Sequence, residues 1–157
     1  GVTDALVFYH FGNKADLYLA AVEDQVDKLS QGLDAALEAP TDASGRLRAF
    51  VEVYLRYFLD VEPGLTVTLR ELHGLPEPTA SAISSLHARV ATARLEGLLR
   101  QGARSGTFVA LDAPACAMAI MGILHMFIRS AAHNPGRFSR AQAVAQVLDY
   151  YAVGLER

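Results

Sequence analysis

Residues 113–133 form a segment that is apolar on almost every side of a helix, and this segment restricts the fold more than any other feature of the sequence. Its apolar residues are Ala117, Met118, Ile120, Met121, Ile123, Leu124, Phe127 and Ile128. A helix without a polar face has to be covered on both sides. Its uncharged run, residues 113–128, is interrupted by Pro114 and His125 and is shorter than the roughly 20 residues that a membrane span needs. We therefore expect a buried helix and no membrane partner.

Helical periodicity continues through the rest of the chain, broken by prolines and glycines such as Pro40, Pro63 and Gly64. The predicted helices lie at residues 14–39, 44–61, 65–73, 79–105, 113–133 and 140–155. Alanine and leucine dominate and tryptophan is absent, a composition that favours helix. The sequence predicts an all-α fold.

Apolar stripes assign an inner face to each helix. The stripe of the second helix is Leu47, Phe50, Val51, Tyr54 and Phe58. Residues 79–105 show two: Ile83, Leu86, Val90, Ala93 and Gly97 on one, and Ala91, Leu95, Leu98 and Leu99 on the other. In so small a body, the helices at 113–133 and 140–155 are the expected homodimer interface, built as a four-helix bundle. The alternative is that they complete a monomeric core.

Charge and motifs exclude several classes of protein. The net charge of −3 gives no overall basic signal for nucleic acid, although a DNA-binding part can be a small piece of an acidic protein. Phosphate loops, hydrolase elbows and zinc-protease motifs are missing from the sequence, so we expect no enzyme, no cofactor and no metal. A single cysteine, Cys116, fits a reducing cytoplasm.

The first fourteen residues read GVTDALVFYHFGNK and predict a short capped helix. Thr3 can cap its first turn, and Gly12 and Asn13 can end it because both tolerate left-handed backbone. Its outer face is small and hydrogen-bonding. The second helix of a helix-turn-helix needs this property, since its first residues must reach base edges in a major groove about 12 Å wide.

This stretch resembles the recognition helix of TetR-type transcriptional repressors. The matching residues are Gly1, Val2, Thr3, Phe8, Tyr9, His10, Phe11 and Lys14. The resemblance implies that Thr3, Asp4, Ala5 and Tyr9 face bases, whereas His10 and Lys14 hold phosphates. Asp4 and Leu6 depart from the polar residues that the family often carries at their positions. It also implies that two helices precede residue 1.

The resemblance further implies a division of labour along the chain. Residues 1–38 would be the remainder of a helix-turn-helix domain with its connecting helix, and residues 39–157 a helical domain for ligand binding and dimerisation. Mostly apolar walls with a few polar groups are typical of small-molecule pockets, and methionines adapt to variable ligand shapes. The candidate effector-binding residues are Tyr54, Phe58, Arg70, His73, His87, Met118, Met121 and His125.

The leading hypothesis is a homodimeric repressor in the cytoplasm. It would bind a near-palindromic double-stranded DNA operator and be released by a small-molecule effector of unknown identity. The second hypothesis is a helical ligand-binding or scaffolding homodimer that does not use DNA, which Asp4 and Leu6 favour slightly. A third, a small helical enzyme, lacks a catalytic constellation.

Overall fold

The computed structural model describes residues 13–38, 42–61, 74–134 and 136–155. The elements in these ranges are helices, so the predicted all-α fold is confirmed. The helices are α1 Lys14–Leu37, α2 Ala43–Arg56, α3 Glu77–His87, α4 Ala93–Ser105, α5 Ala113–His133 and α6 Arg140–Leu155. Two π-helical segments extend them: Tyr57–Val61 follows α2, and Ala88–Thr92 joins α3 to α4. The predicted recognition helix and the predicted helix at 65–73 lie outside the described residues.

Side-chain caps fix the starts of α1, α2 and α5. Asn13 accepts a hydrogen bond from the backbone N–H of Asp16, 2.9 Å away, at the start of α1. Asp42 caps α2 and Asp112 caps α5 in the same way. Each cap satisfies an N–H group that a helix terminus leaves without a partner. Pro114 follows the Asp112 cap in the first turn of α5.

Helix α2 lies at the centre of the described fold and packs against α1, α4 and α6. All five residues of its predicted apolar stripe are buried. The core joins them to side chains from every other helix, including Val26, Leu29 and Leu33 of α1, Ile83 of α3, Leu95 and Leu99 of α4, Ile120 and Leu124 of α5, and Val147 of α6. This single core fixes where α2 presents its polar groups.

The π-helical segment Ala88–Thr92 changes which face of the third predicted helix is buried. Of the two faces in the sequence, the one that carries Ala93 and Gly97 leaves both residues exposed. A π turn accommodates one more residue than an α turn, so the chain beyond it rotates relative to a continuous helix. The residues that face the core are therefore Ile83 before the π turn and, from Ala91 onward, the second stripe, which is buried.

Helix α5 packs one side against α4 and α6 and leaves much of its other side exposed. Residues 113–131 are long and apolar enough to cross a membrane by length and composition alone, so the apolar run is longer than expected. That criterion is also met by core helices of soluble proteins. Because Ala117, Ile120 and Leu124 are fully buried, the inner side of α5 is a wall of the core.

Candidate functional site

A buried tyrosine joined to two histidines is the most distinctive polar arrangement in the described core. Tyr54 is fully buried on α2. Its hydroxyl oxygen lies 2.5 Å from Nε2 of His87 and 2.9 Å from Nε2 of His125. The three side chains come from α2, from the last residue of α3 and from α5. One hydroxyl thus connects three helices.

The hydrogen-bond pattern fixes the tautomers of the two histidines relative to each other. A hydroxyl carries one proton and therefore donates one hydrogen bond. Tyr54 donates to Nε2 of one histidine and accepts from Nε2–H of the other. With both rings neutral, the histidines are opposite tautomers, so one Nδ1 is a donor and the other is an acceptor.

Burial keeps this cluster uncharged at neutral pH. Burial first, and then the electrostatic repulsion of His125, lower the pKa of His87 from 6.5 to about 4. Burial also lowers the pKa of His125, although this residue is exposed overall and only part of its ring lies against Tyr54. Burial raises the pKa of the Tyr54 hydroxyl well above its ordinary value. The cluster can exchange hydrogen bonds but carries no charge.

Aromatic rings surround the tyrosine on its own helix. Phe50 stacks on Tyr54 with ring centroids 5.9 Å apart, and Phe58 lies 4.8 Å away in a tilted arrangement. Phe58 also meets the edge of His87 at 6.1 Å. This apolar surrounding explains the pKa shifts, since low polarity disfavours a charged imidazole.

The structure brings together four of the eight predicted effector-binding residues: Tyr54, Phe58, His87 and His125. Met121 is buried one turn before His125 on α5. Met118 is 72% exposed on the outer side of α5 and is not part of the cluster, so its contact with an effector stays a prediction. Arg70 and His73 lie outside the described residues.

The predicted DNA-contacting residues Thr3, Asp4, Ala5, Tyr9 and His10 also lie outside the described residues. Lys14 is the first residue of α1, and its side chain is likewise not described. Their roles remain predictions. The structure does show that α1 continues without interruption from this point for 24 residues and packs on the body.

Sequence reasoning missed a polar contact that attaches α1 to the body. Arg94 of α4 donates from Nε and Nη2 to the two carboxylate oxygens of Asp34 on α1, both at 2.9 Å. Nη2 also donates to Ser30 Oγ at 2.7 Å, and Nη1 donates to the carbonyl of Val90 at 2.8 Å. The hydrogen bond from Arg94 lowers the pKa of Asp34. The π turn between His87 and Arg94 directs their side chains to different partners.

Within the described residues, histidine, cysteine, aspartate and glutamate do not gather in groups of three that could hold a metal ion. The arrangement consists of a neutral polar cluster in an apolar core, with a connecting helix fixed to the body by an arginine. Within the described residues, these two features join α2, α3 and α5 at the cluster and α1 to α4 at Arg94.

Comparison with known proteins identifies the family. Residues 40–152 match the family described as "Tetracyclin repressor-like, C-terminal domain". The chain therefore belongs to the TetR family of transcriptional regulators, as the resemblance of its first fourteen residues predicted. The match covers the helical body from before α2 into α6.

Two curated relatives are similar in sequence. The HTH-type transcriptional activator FasR of Mycolicibacterium smegmatis is 40% identical over 57 residues, which are 36% of this chain and 26% of FasR. The nucleoid occlusion factor SlmA of Photobacterium profundum is 27% identical over 136 residues, which are 83% of this chain and 69% of SlmA. The chain thus matches about a quarter of the length of FasR.

Solved structures share the fold. The TetR family transcriptional regulator PfmR of Thermus thermophilus has a TM-score of 0.81 at 26% identity, covering 100% of this chain and 85% of PfmR. The transcriptional regulator FadR of Bacillus subtilis, in complex with stearoyl-CoA, has a TM-score of 0.86 at 18% identity, covering 98% of this chain and 83% of FadR. The second likeness shows the fold alone.

Proposed function

We propose that this protein is an effector-controlled repressor of the cytoplasm that binds a near-palindromic operator as a homodimer. The observation that carries the proposal is the neutral Tyr54–His87–His125 cluster in the body of a TetR-family chain. An effector bound there would contact three helices at once. It would favour one arrangement of them over another, which is the differential affinity that a population shift requires.

The chemistry of the cluster supports the proposal that the polar group of the effector is uncharged. Buried charged side chains are absent from the described core, and both histidines are neutral at pH 7. One Nδ1 donor and one Nδ1 acceptor match a hydroxyl, an amide or an ester-like carbonyl with an adjacent donor. The apolar surroundings match a hydrocarbon body. We retain Arg70, His73 and Met121 as further effector contacts.

The exposed side of α5 supports dimerisation through α5 and α6. Met118 is 72% exposed and Met126 55%, and Tyr150 on α6 is 79% exposed. The small Gly122 lies between the two methionines on the same exposed side. Exposed apolar patches of this kind mark interaction surfaces. Two copies joined here would complete a four-helix bundle and cover the second side of α5.

Arg94 supports a route from the body to DNA. Its bonds to Asp34 and Ser30 attach the connecting helix α1 to α4, directly after the π-helical segment that begins beside His87. A shift of His87 on effector binding would move the backbone that carries Arg94. The position of α1 sets the spacing of the two recognition helices, in which we retain Thr3, Asp4, Ala5, Tyr9, His10 and Lys14 as the DNA contacts.

The decisive experiment selects bound sequences from random double-stranded DNA with the full-length protein and then measures operator affinity with and without candidate effectors. We expect a palindromic site with half-sites about one helical turn apart. Candidate effectors are matched pairs that differ only in the charge of the polar end, such as a long-chain alcohol and its fatty acid. The uncharged member should release the operator.

Tyr54→Phe provides the control for the effector site. It should leave operator affinity unchanged and abolish the response to effector, because the hydroxyl that orders both histidines is gone. Tyr150→Phe, which removes an exposed hydroxyl, should respond like the parent protein. Failure to select any DNA sequence would favour the second hypothesis, a helical homodimer that does not use DNA. A reporter under the selected operator decides the direction of control, since FasR is an activator.

A further inference from the structure

A groove of about 520 Å³ lies between α2 and α6, away from the Tyr54 cluster. Glu52 and Arg56 precede and follow Tyr54 by two residues, so they project from the opposite side of α2. Both residues are exposed, whereas Tyr54 is fully buried. The groove is therefore a separate feature of the body surface, with a volume in the range of small-molecule sites.

Positive charge dominates the lining of this groove. Arg48 and Arg56 come from α2, Arg140 comes from the first turn of α6, and Glu52 is the one acid among the lining residues. Arg140 is ion-paired with Asp60. Arg48 and Arg56 form no hydrogen bond or ion pair with another described residue. Glu52 lies one helical turn from both of them, so Arg48, Arg56 and Glu52 together carry a net charge of +1.

The remainder of the lining is apolar. Val53 and Val144 contribute from the two helices, and Val144 is buried. Ala141 and Ala145 are one turn apart on α6, and their small side chains keep the groove open between the helices. An occupant would meet charge at one part of the groove and hydrocarbon at another.

We propose that this groove binds a phosphate monoester carried on a small apolar body. Guanidinium groups recognise phosphate through paired, charge-assisted hydrogen bonds. A phosphate monoester is an anion at pH 7, which suits the net positive charge of the groove lining. The apolar wall accommodates the body of the ester.

Phenyl phosphate tests this assignment by titration calorimetry against the purified protein. We expect it to bind at least about tenfold more tightly than inorganic phosphate, because only the ester contacts Val53 and Val144. Arg48→Gln and Arg56→Gln should each weaken binding by about tenfold or more, since each removes a charged hydrogen-bond donor. The affinity should also fall as the salt concentration rises.

Two further variants separate charge from shape. Ala145→Leu retains every arginine but fills the groove, and it should abolish binding of phenyl phosphate. Arg89→Gln removes an exposed arginine on the π-helical segment outside the groove and should leave binding unchanged. Circular dichroism confirms folding, which is expected because the substituted side chains are exposed.

Three outcomes would overturn the proposal. Benzyl alcohol binding as tightly as phenyl phosphate would show that the arginines do not select an anion. Equal affinity for inorganic phosphate and its phenyl ester would show that the apolar wall is unused. Full binding by the Arg48→Gln/Arg56→Gln double variant would place the ester elsewhere. Because Tyr54→Phe leaves the groove intact, it should not alter binding of phenyl phosphate.

Discussion

The Tyr54 hydroxyl stabilises the protein because it is hydrogen-bonded to two histidines. In Tyr54→Phe, Nε2 of His87 and of His125 both lose their partner in a partly buried setting. Leaving buried polar atoms without partners costs about 1–3 kcal/mol. We therefore expect the free energy of unfolding to fall by about that amount in chemical denaturation. Tyr150→Phe is the matched control, because its hydroxyl is on a residue 79% exposed, and it should change stability by less than about 0.5 kcal/mol.

His87 makes stability depend on pH between about 6.5 and 4. Its pKa is about 4 in the folded protein against 6.5 for an unperturbed histidine, so the unfolded chain binds more protons in this interval. Its contribution is fully present above pH 6.5 and is lost as the pH falls toward 4. The loss is on the order of 3 kcal/mol at most. Thermal unfolding from pH 8 to 4 measures it.

A His87→Gln variant provides the control for this pH dependence. Glutamine fills similar space without a titrating group, so the decline between pH 6.5 and 4 should become shallower. An unchanged slope in the variant would assign the pH dependence to other groups. Carboxylates such as Asp34, whose pKa is lowered by Arg94, act mainly below this interval.

The sequence was sufficient to predict which core residues belong to the cluster, but not how their atoms are arranged. Helical period placed Tyr54 and Phe58 on the buried face of α2, and polar groups within apolar faces singled out His87 and His125. The sequence could not show whether Met118 is buried or exposed. Because α5 is apolar around its whole circumference, no polar stripe distinguishes its buried side from its exposed side. Which atoms converge on the Tyr54 hydroxyl depends on how three helices pack.

At the scale of elements, the end of α4 is packed too closely for any side chain at Gly102. A Cβ atom there would lie 2.2 Å from Cδ2 and 2.4 Å from Cε2 of Phe108, and 3.0 Å from Cβ of Ala43. Phe108 is buried, and its backbone N–H donates to the carbonyl of Gly102 at 3.1 Å, so the ring has little freedom to withdraw. Gly102→Ala should therefore destabilise by about 1–3 kcal/mol.

Gly97 gives the matched control on the same helix. A Cβ at this position meets nothing within 4 Å. Gly97→Ala should stabilise by up to about 1 kcal/mol through helix propensity. Denaturation midpoints of the two variants should therefore move in opposite directions. A Gly102→Ala variant as stable as Gly97→Ala would show that Phe108 repacks.

The positions of the helices were predictable from the sequence, but the buried face of α4 was not, and the π-helical segment before α4 explains this difference. Proline, glycine and cap residues define helix ends locally, which is why the predicted bounds of α5 and α6 agree with the structure. A π turn has no comparable local signal in residues 88–92. It is stabilised by what surrounds it: His87 reaches the Tyr54 cluster on one side, and Arg94 reaches Asp34 on the other. The rotation of α4 relative to a continuous helix is therefore set by tertiary contacts and not by the local sequence.

At the scale of the whole molecule, the proposed sites lie on different sides of the described body. The core side of α2 holds the Tyr54 cluster, its outer side faces the arginine-lined groove, and α1 begins next to the proposed DNA-binding part. The outer side of α5 is the apolar surface that remains, with Met118 and Met126 exposed. A regulator that recognises a palindrome needs two copies related by symmetry, and this surface is the one whose chemistry fits a second copy.

The dimer prediction follows from that exposed surface. The double variant Met118→Glu/Met126→Glu would place two negative charges from each copy inside the four-helix bundle that the two copies form. Because such charges would be desolvated on association, we expect the double variant to be monomeric by light scattering and to lose operator affinity at concentrations where the parent binds. Ala93→Glu, which adds a charge at an exposed position of α4, should remain dimeric. A double variant that keeps its helical circular dichroism and still dimerises would move the interface away from α5.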